Sequence, residues 1–155
     1  MSIALQRAQV KTILLAVSGM GNVEDRGRFA NDPLEAQKWY VRGGRVNGCM
    51  IYAKALKPEG FSCAEQVRRT AFVIKWLRSF TDADSSRKTS EEALQTLTDA
   101  LLAERTLNGT ADNCTEPEPT ITDEPALYAI GEGKYLCDLL TVSFIAEEYV
   151  AVTYS

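Results

Sequence analysis

The run from Arg68 to Phe80 alternates strictly enough to fix its backbone. Phe72, Ile74 and Trp76 fall on one side and Val73, Lys75 and Leu77 on the other. A period of two belongs to a strand, and a side carrying three bulky apolar groups must be covered. The run Tyr135 to Glu147 repeats the pattern, with Leu140, Val142 and Phe144 sharing a face. Cys49 to Ala55 reads as a third strand, ended by Lys57-Pro58-Glu59-Gly60. Two helices are expected as the cover. Ser2 opens the first, which runs to about Val17 with Ile3, Val10, Ile13, Leu14 and Val17 on one stripe, until Gly19 and Gly21 stop it. The box Thr89-Ser-Glu-Glu92 opens the second, with Leu94, Leu97, Leu101 and Leu102 at helical spacing and a stop at Leu107-Asn108-Gly109. The fold class expected is α+β: a single antiparallel or mixed β-sheet with two main helices packed on one face.

The rest of the chain is punctuation and short extended pieces. Asn22 to Phe29 suits a first strand or an extended arm, Asn31-Asp32-Pro33 is a turn, and Trp39-Tyr40-Val41 has strand propensity. Arg42-Gly43-Gly44-Arg45 reads as a hairpin loop and Asn47-Gly48 as a second turn. Residues 110–125, acidic and holding Pro117, Pro119 and Pro125, read as a surface loop. After them come a strand Ala126 to Ile130, a Gly131-Glu-Gly133 turn and, past Glu147, a short tail strand Tyr149 to Tyr154. At 155 residues one domain is expected over 1–155, with flexible loops at 35–48 and 110–125.

Histidine is absent. That removes Ser-His-Asp and Cys-His machinery, His-based zinc sites and the usual proton shuttle near neutral pH. Cys49, Cys63, Cys114 and Cys137 form no C-x-x-C pair, so no zinc knuckle or thioredoxin-like motif arises. The first residues lack the character of a signal peptide, which predicts a cytosolic chain with reduced thiols. No stretch approaches ~18 consecutive apolar residues, so no membrane span is expected. Neither a cofactor nor a metal is expected.

Other constellations are weak. Gly19-Met-Gly21 follows a helix instead of joining a strand to one, and fits a helix stop better than a phosphate loop. Asp82 and Asp84 suit a turn better than a calcium loop. Glu91/Glu92 and Glu147/Glu148 are neighbours whose side chains point apart, which makes solvated surfaces the expectation. Cys137 has no activating histidine and reads as a buried structural thiol. Arg42, Arg45, Lys54, Lys57, Arg68 and Arg69, interleaved with Trp39, Tyr40 and Tyr52, resemble a nucleic-acid patch. A chain with net charge −4 and none of the common reader motifs points instead to a polar interface or a solvated hairpin.

The charge is unevenly split. Residues 1–88 hold 15 of the 17 Lys/Arg and 8 of the 21 Asp/Glu, a net of +7; residues 89–155 hold 2 and 13, a net of −11. If the fold separates these halves, the subunit is dipolar and suited to head-to-tail self-assembly.

Several stretches together resemble a known family. They are Arg69-Thr-Ala-Phe-Val-Ile-Lys-Trp-Leu77, the Asp/Ser loop after it, the helix S-E-E-A-L-Q-T-L-T-D-A-L-L, the Leu-Asn-Gly turn, and the cysteine-centred strand Tyr135 to Glu147. With the N-terminal helix and Gly-Asn-Val-x-x-Arg at 21–26, the chain resembles the small tail-terminator (tail-completion, or neck) proteins of long-tailed bacteriophages over roughly residues 2–148. The resemblance implies a non-enzymatic virion protein, assembled in the bacterial cytoplasm. It would form a ring, commonly a hexamer, that caps the tail tube, ends its polymerisation and meets the head connector. Its partners would be copies of itself, the tail-tube protein and the head-closure protein, with DNA passing through unread. On that picture Trp39, Arg42 and Arg45 are candidates for the subunit or tube interface. Glu116, Glu118, Asp123 and Glu124 are candidates for an acidic lumen or surface. A head-closure subunit is the alternative within the class. A small α+β binding module or a histidine-free enzyme, marked by a deep pocket with paired carboxylates, is the alternative outside it.

Overall fold

A computed structural model describes residues 3–24, 41–42, 45–60, 65–80, 86–130 and 133–151. Three long antiparallel strands form its frame: β3 (Arg45–Gly60), β4 (Glu65–Ser79) and β8 (Gly133–Ala151). β4 lies between the other two, paired from Asn47↔Arg78 to Gly60↔Gln66 on one side, with a one-residue shift between Ala53 and Ala55, and from Ser79↔Cys137 to Glu65↔Ala151 on the other. β1 (Asn22–Glu24) adds to β3 in parallel, which makes the sheet mixed. β2 (Val41–Arg42) folds back on the start of β3, pairing Arg42 with Arg45. The free edge of β8 takes three short strands in succession: β5 (Asn113–Cys114), β6 (Glu118–Ile121) and β7 (Ala126–Ile130).

The alternation of the sequence decides the two faces. Cys49, Ile51, Phe72, Ile74, Trp76, Leu140, Val142, Phe144 and Ala146 form one buried face, with Phe72 and Phe144 stacked at 5.6 Å between ring centroids. Helix α1 (Ile3–Leu15) packs Val10, Ile13 and Leu14 into this core, and helix α2 (Ser86–Ala103) packs Leu97 and Leu101. A second, smaller core lies around β2 and the β7–β8 hairpin, where Val46, Ile130 and Cys137 are buried against Val41, Leu77, Tyr128 and Tyr135.

Two helices over one face is therefore not an adequate account of the architecture. The molecule remains α+β, but among the described residues it is mostly strand: a large curled mixed sheet of seven strands, with β2 added to β3 as an eighth, and two helices. The reason is length. A 19-residue strand such as β8 extends about 60 Å, whereas the 18-residue α2 extends about 27 Å. Helices of this size leave much of such strands uncovered, and the sheet completes its burial by curling and forming the second core.

Several local expectations are corrected by long-range pairing. Asn47-Gly48 is no turn, because β3 runs through both residues. The Asn47 amide donates to Gly19 O at 2.8 Å, and its Oδ1 accepts from Trp76 Nε1 at 2.6 Å. Lys57 to Gly60 do not end the strand, and Tyr149 to Ala151 continue β8 with no separate tail strand before Ala151. Helix α2 begins at Ser86, so Thr89-Ser-Glu-Glu92 lies inside it and Ser90 is buried. The earlier start carries Arg87 to a carboxylate on β8. Residues 110–125 are surface in character, yet they hold β5 and β6. Prolines are tolerated there because an edge strand has backbone groups that need no ladder partner.

Beyond α2 the chain turns through Leu107, Asn108 and Gly109, all with positive φ (48°, 55° and 86°). Only the glycine adopts this freely. Leu107 is held by complete burial, and Asn108 by a bond from its amide to Gln9 Oε1 at 2.8 Å. Gly21 is required for a different reason: a Cβ there would collide with the backbone carbonyl of Asn47. Gly21→Ala is expected to cost about 1–3 kcal/mol, the range for overpacking, read as a lower urea midpoint with unchanged slope. An unchanged midpoint would mean that β1 does not sit against β3 as described.

Candidate functional site

The strand order converts the split in the sequence into a split in space. β1 to β4 come from the basic half and lie on one side of the sheet; β5 to β8 come from the acidic half and lie on the other. Arg45, Lys54, Lys57 and Arg68 are exposed on the first side. Glu116, Glu118, Asp123 and Glu124 are exposed along the second, on and between β5, β6 and β7. Where the halves meet, the register sets Arg68 opposite Glu148, Arg69 opposite Glu147 and Arg78 opposite Asp138. The Arg69–Glu147 pair closes to 3.6 Å.

Of the interface candidates, Arg45 begins β3 with its side chain exposed, and Arg42 faces it across the β2–β3 register. Trp39 lies outside the described residues, as do Tyr40, Asp82 and Asp84. Tyr52, the one described aromatic of the basic patch, has Lys75 Nζ 5.7 Å from its ring centre, a cation outside the six basic residues named for the patch. Glu91 and Glu92 are exposed as expected, but Glu148 is 8% exposed and belongs to the buried face, which corrects its reading as solvated surface.

The most organised polar site lies where the buried face runs out, at the level of Asn47, Arg78 and Asp138 on adjacent strands. Asp138 is fully buried and accepts from Arg87 Nη1 at 2.9 Å. Its other oxygen has no hydrogen-bond partner among the described residues. Arg78 lies over the Trp76 ring at 5.1 Å and donates from Nη1 to Thr89 O at 3.0 Å. Burial holds the Arg78 pKa below its ordinary value, and the nearby Asp138 charge partly opposes this. Alongside opens a cleft of about 390 Å³ lined by Gly21, Asn22, Arg45, Val46, Asn47, Arg78 and Ser79. Within its lining the Val46 amide donates to Ser79 Oγ at 2.6 Å. Arg45 and Arg78 give its lining a positive character, while the Asn47 amide is already engaged by Gly19 and Trp76. No carboxylate is among its described lining residues, where the alternative of a histidine-free enzyme calls for a pair of them.

Sequence reading missed Asp138, Asn47 and Arg87. The signal for Asp138 was available, because it shares strand parity with Leu140, Val142 and Phe144, and an acid on an apolar face needs a partner. Arg87 carries no comparable signal, since its partner is 51 residues away.

Cys49, Cys114 and Cys137 are free thiols and buried. Burial pushes Cys49 up to about 12, and Cys114 and Cys137 up to about 11. A thiol whose pKa rises on folding keeps its proton after the unfolded chain has lost its own. Its stabilising effect is therefore present below pH 9 and is lost as pH climbs through 11 to 12. Stability measured by denaturant is expected to fall over that window. On a Cys63→Ser background, a thiol reagent at pH 8 is expected to label the native chain far more slowly than the unfolded one. Fast labelling of the native chain would contradict the burial.

Among the described residues no cluster of His, Cys, Asp and Glu is placed to hold a metal, and no helix is long and apolar enough to cross a membrane. No family model matches the sequence, and no curated protein aligns with it significantly.

Proposed function

We propose that the chain is a structural virion subunit of the tail-terminator kind. It assembles head to tail into a closed ring on the end of a phage tail tube, ends tube growth and offers a face to the head connector. The observation that carries this reading is the lateral charge split: a basic β3–β4 side and an acidic β5–β7 edge on one sheet. A ring requires two different, complementary patches on each subunit, and a sheet with oppositely charged sides supplies them. The resemblance of Arg69 to Leu107 and of the Tyr135 to Glu147 strand to tail terminators gives the role its biological form. The acidic residues Glu116, Glu118, Asp123 and Glu124 lie along a side edge, and the proposal assigns them to the junction between subunits. DNA passes the ring without sequence-specific contacts.

Sedimentation velocity across a salt series tests the reading. Ring-sized species are expected at low ionic strength, giving way to monomer toward 1 M salt, where the screening length falls to about 3 Å. A monomer at every salt and protein concentration, with purified tail tube present or absent, would contradict it.

A further inference from the structure

The cleft and the acidic edge stand at the same height on the sheet. Asn47, Arg78 and Asp138 are consecutive partners across β3, β4 and β8. On the far side, the Thr122 amide donates to Leu139 O at 3.2 Å, and Ala126 is the partner of Cys137. Asp123 and Glu124 lie between those two anchors, so they flank the Asp138 position from the outer edge of β8. One row across the molecule thus begins at an arginine-lined cleft and ends at an exposed acidic turn.

From this juxtaposition we propose that the Arg45–Arg78 cleft receives the Asp123–Glu124 turn of a second copy of the chain. The inference rests on the ring reading and names the contact that would hold the ring. Three observations favour a second copy as the occupant. The charges are opposite, the cleft opens at the end of the sheet's β1–β3–β4 side while the turn lies outside β8 on the other side, and their common height lets one subunit follow the next without slipping along the strands. The cleft, at about 390 Å³, is large enough for one or two carboxylate side chains, whose planar oxygens suit a guanidinium fork. Arg78 is partly desolvated on the Trp76 ring and fixed by Thr89. It therefore loses little freedom when it meets a carboxylate, which favours a specific contact over a diffuse one.

The test uses two full-length variants. Arg45→Glu spoils the cleft, and Asp123→Asn/Glu124→Gln neutralises the turn. All three positions are exposed, so circular dichroism should show both variants folded. Arg78 is left alone because it is tied to Thr89 and Trp76. By sedimentation velocity at low salt, each variant alone is expected to associate about tenfold or more weakly than the wild type. An equal mixture restores one native junction per pair, the neutralised variant offering its cleft and the Arg45→Glu variant its turn. The mixture is therefore expected to stop at species of two chains. Wild-type assembly by both variants would overturn this contact while leaving the ring intact. A variant Arg45→Glu that still assembles but no longer binds a short DNA duplex would assign the cleft to nucleic acid and overturn it too. A wild type that never assembles, even with tail tube, would remove the ring reading and this contact together.

Discussion

Trp76→Ala is expected to remove a large part of the stability of the fold. Trp76 is fully buried near the C-terminal end of β4, with Cys49 and Leu140 as its cross-strand partners. Truncating a buried aromatic of this size costs about 3–5 kcal/mol, through lost transfer energy and the cavity left behind. Single domains have only about 5–15 kcal/mol in total. Two further losses follow from the same change. Asn47 Oδ1 loses its 2.6 Å bond from the indole N–H, and Arg78 loses the ring beneath its guanidinium. Trp76→Phe separates the effects, because it keeps an aromatic ring and deletes the donor, and should cost less than the alanine. Urea unfolding followed by circular dichroism measures both variants. A loss below about 1 kcal/mol for Trp76→Ala would contradict a packed core at this site.

The second large effect is expected at Asp138. Breaking a buried ion pair from one side costs about 3–5 kcal/mol when the remaining charge cannot reach water. Here Arg87 retains 30% of its side-chain exposure and has Glu91 at 3.8 Å as a second partner. A loss of about 2–4 kcal/mol for Asp138→Ala is therefore expected, the upper end discounted for screening. Asp138→Asn keeps the shape and an acceptor for Arg87 and should lose less. A double cycle with Arg87→Ala isolates the pair. Additive losses at the two positions would mean that the 2.9 Å contact contributes nothing of its own. The site also links stability to the proposed junction, since Asp138 lies beside Arg78 in the row that ends at the cleft.

What the sequence made legible was the part governed by local period. The β4 and β8 faces, the stripe of α1, the Leu97 and Leu101 face of α2 and the strand Ala126–Ile130 all follow from alternation or helical spacing, and the structure has them. What it concealed was governed by distant partners. Asn47-Gly48 carries the local chemistry of a turn, but its neighbours on β1 and β4 hold it extended. Pro117, Pro119 and Pro125 mark a loop by composition, and only the free edge of β8 reveals that the segment between them pairs. The proportion of sheet was underestimated for the same reason, because Lys57-Pro58-Glu59-Gly60 looks like an end and in fact continues β3 opposite Gln66 to Arg69. The charge split was visible by counting. Its conversion into opposite sides required the strand order.

Electron micrographs of the purified wild-type chain at low ionic strength, with and without tail tube, test the central claim most directly. Opposed charges on two sides of one sheet, meeting at a fixed angle, predict closed rings of one size, alone or seated on tube ends. Filaments of unbounded length would mean that the contact does not close. Bare tube ends among scattered monomers would mean that no such contact exists.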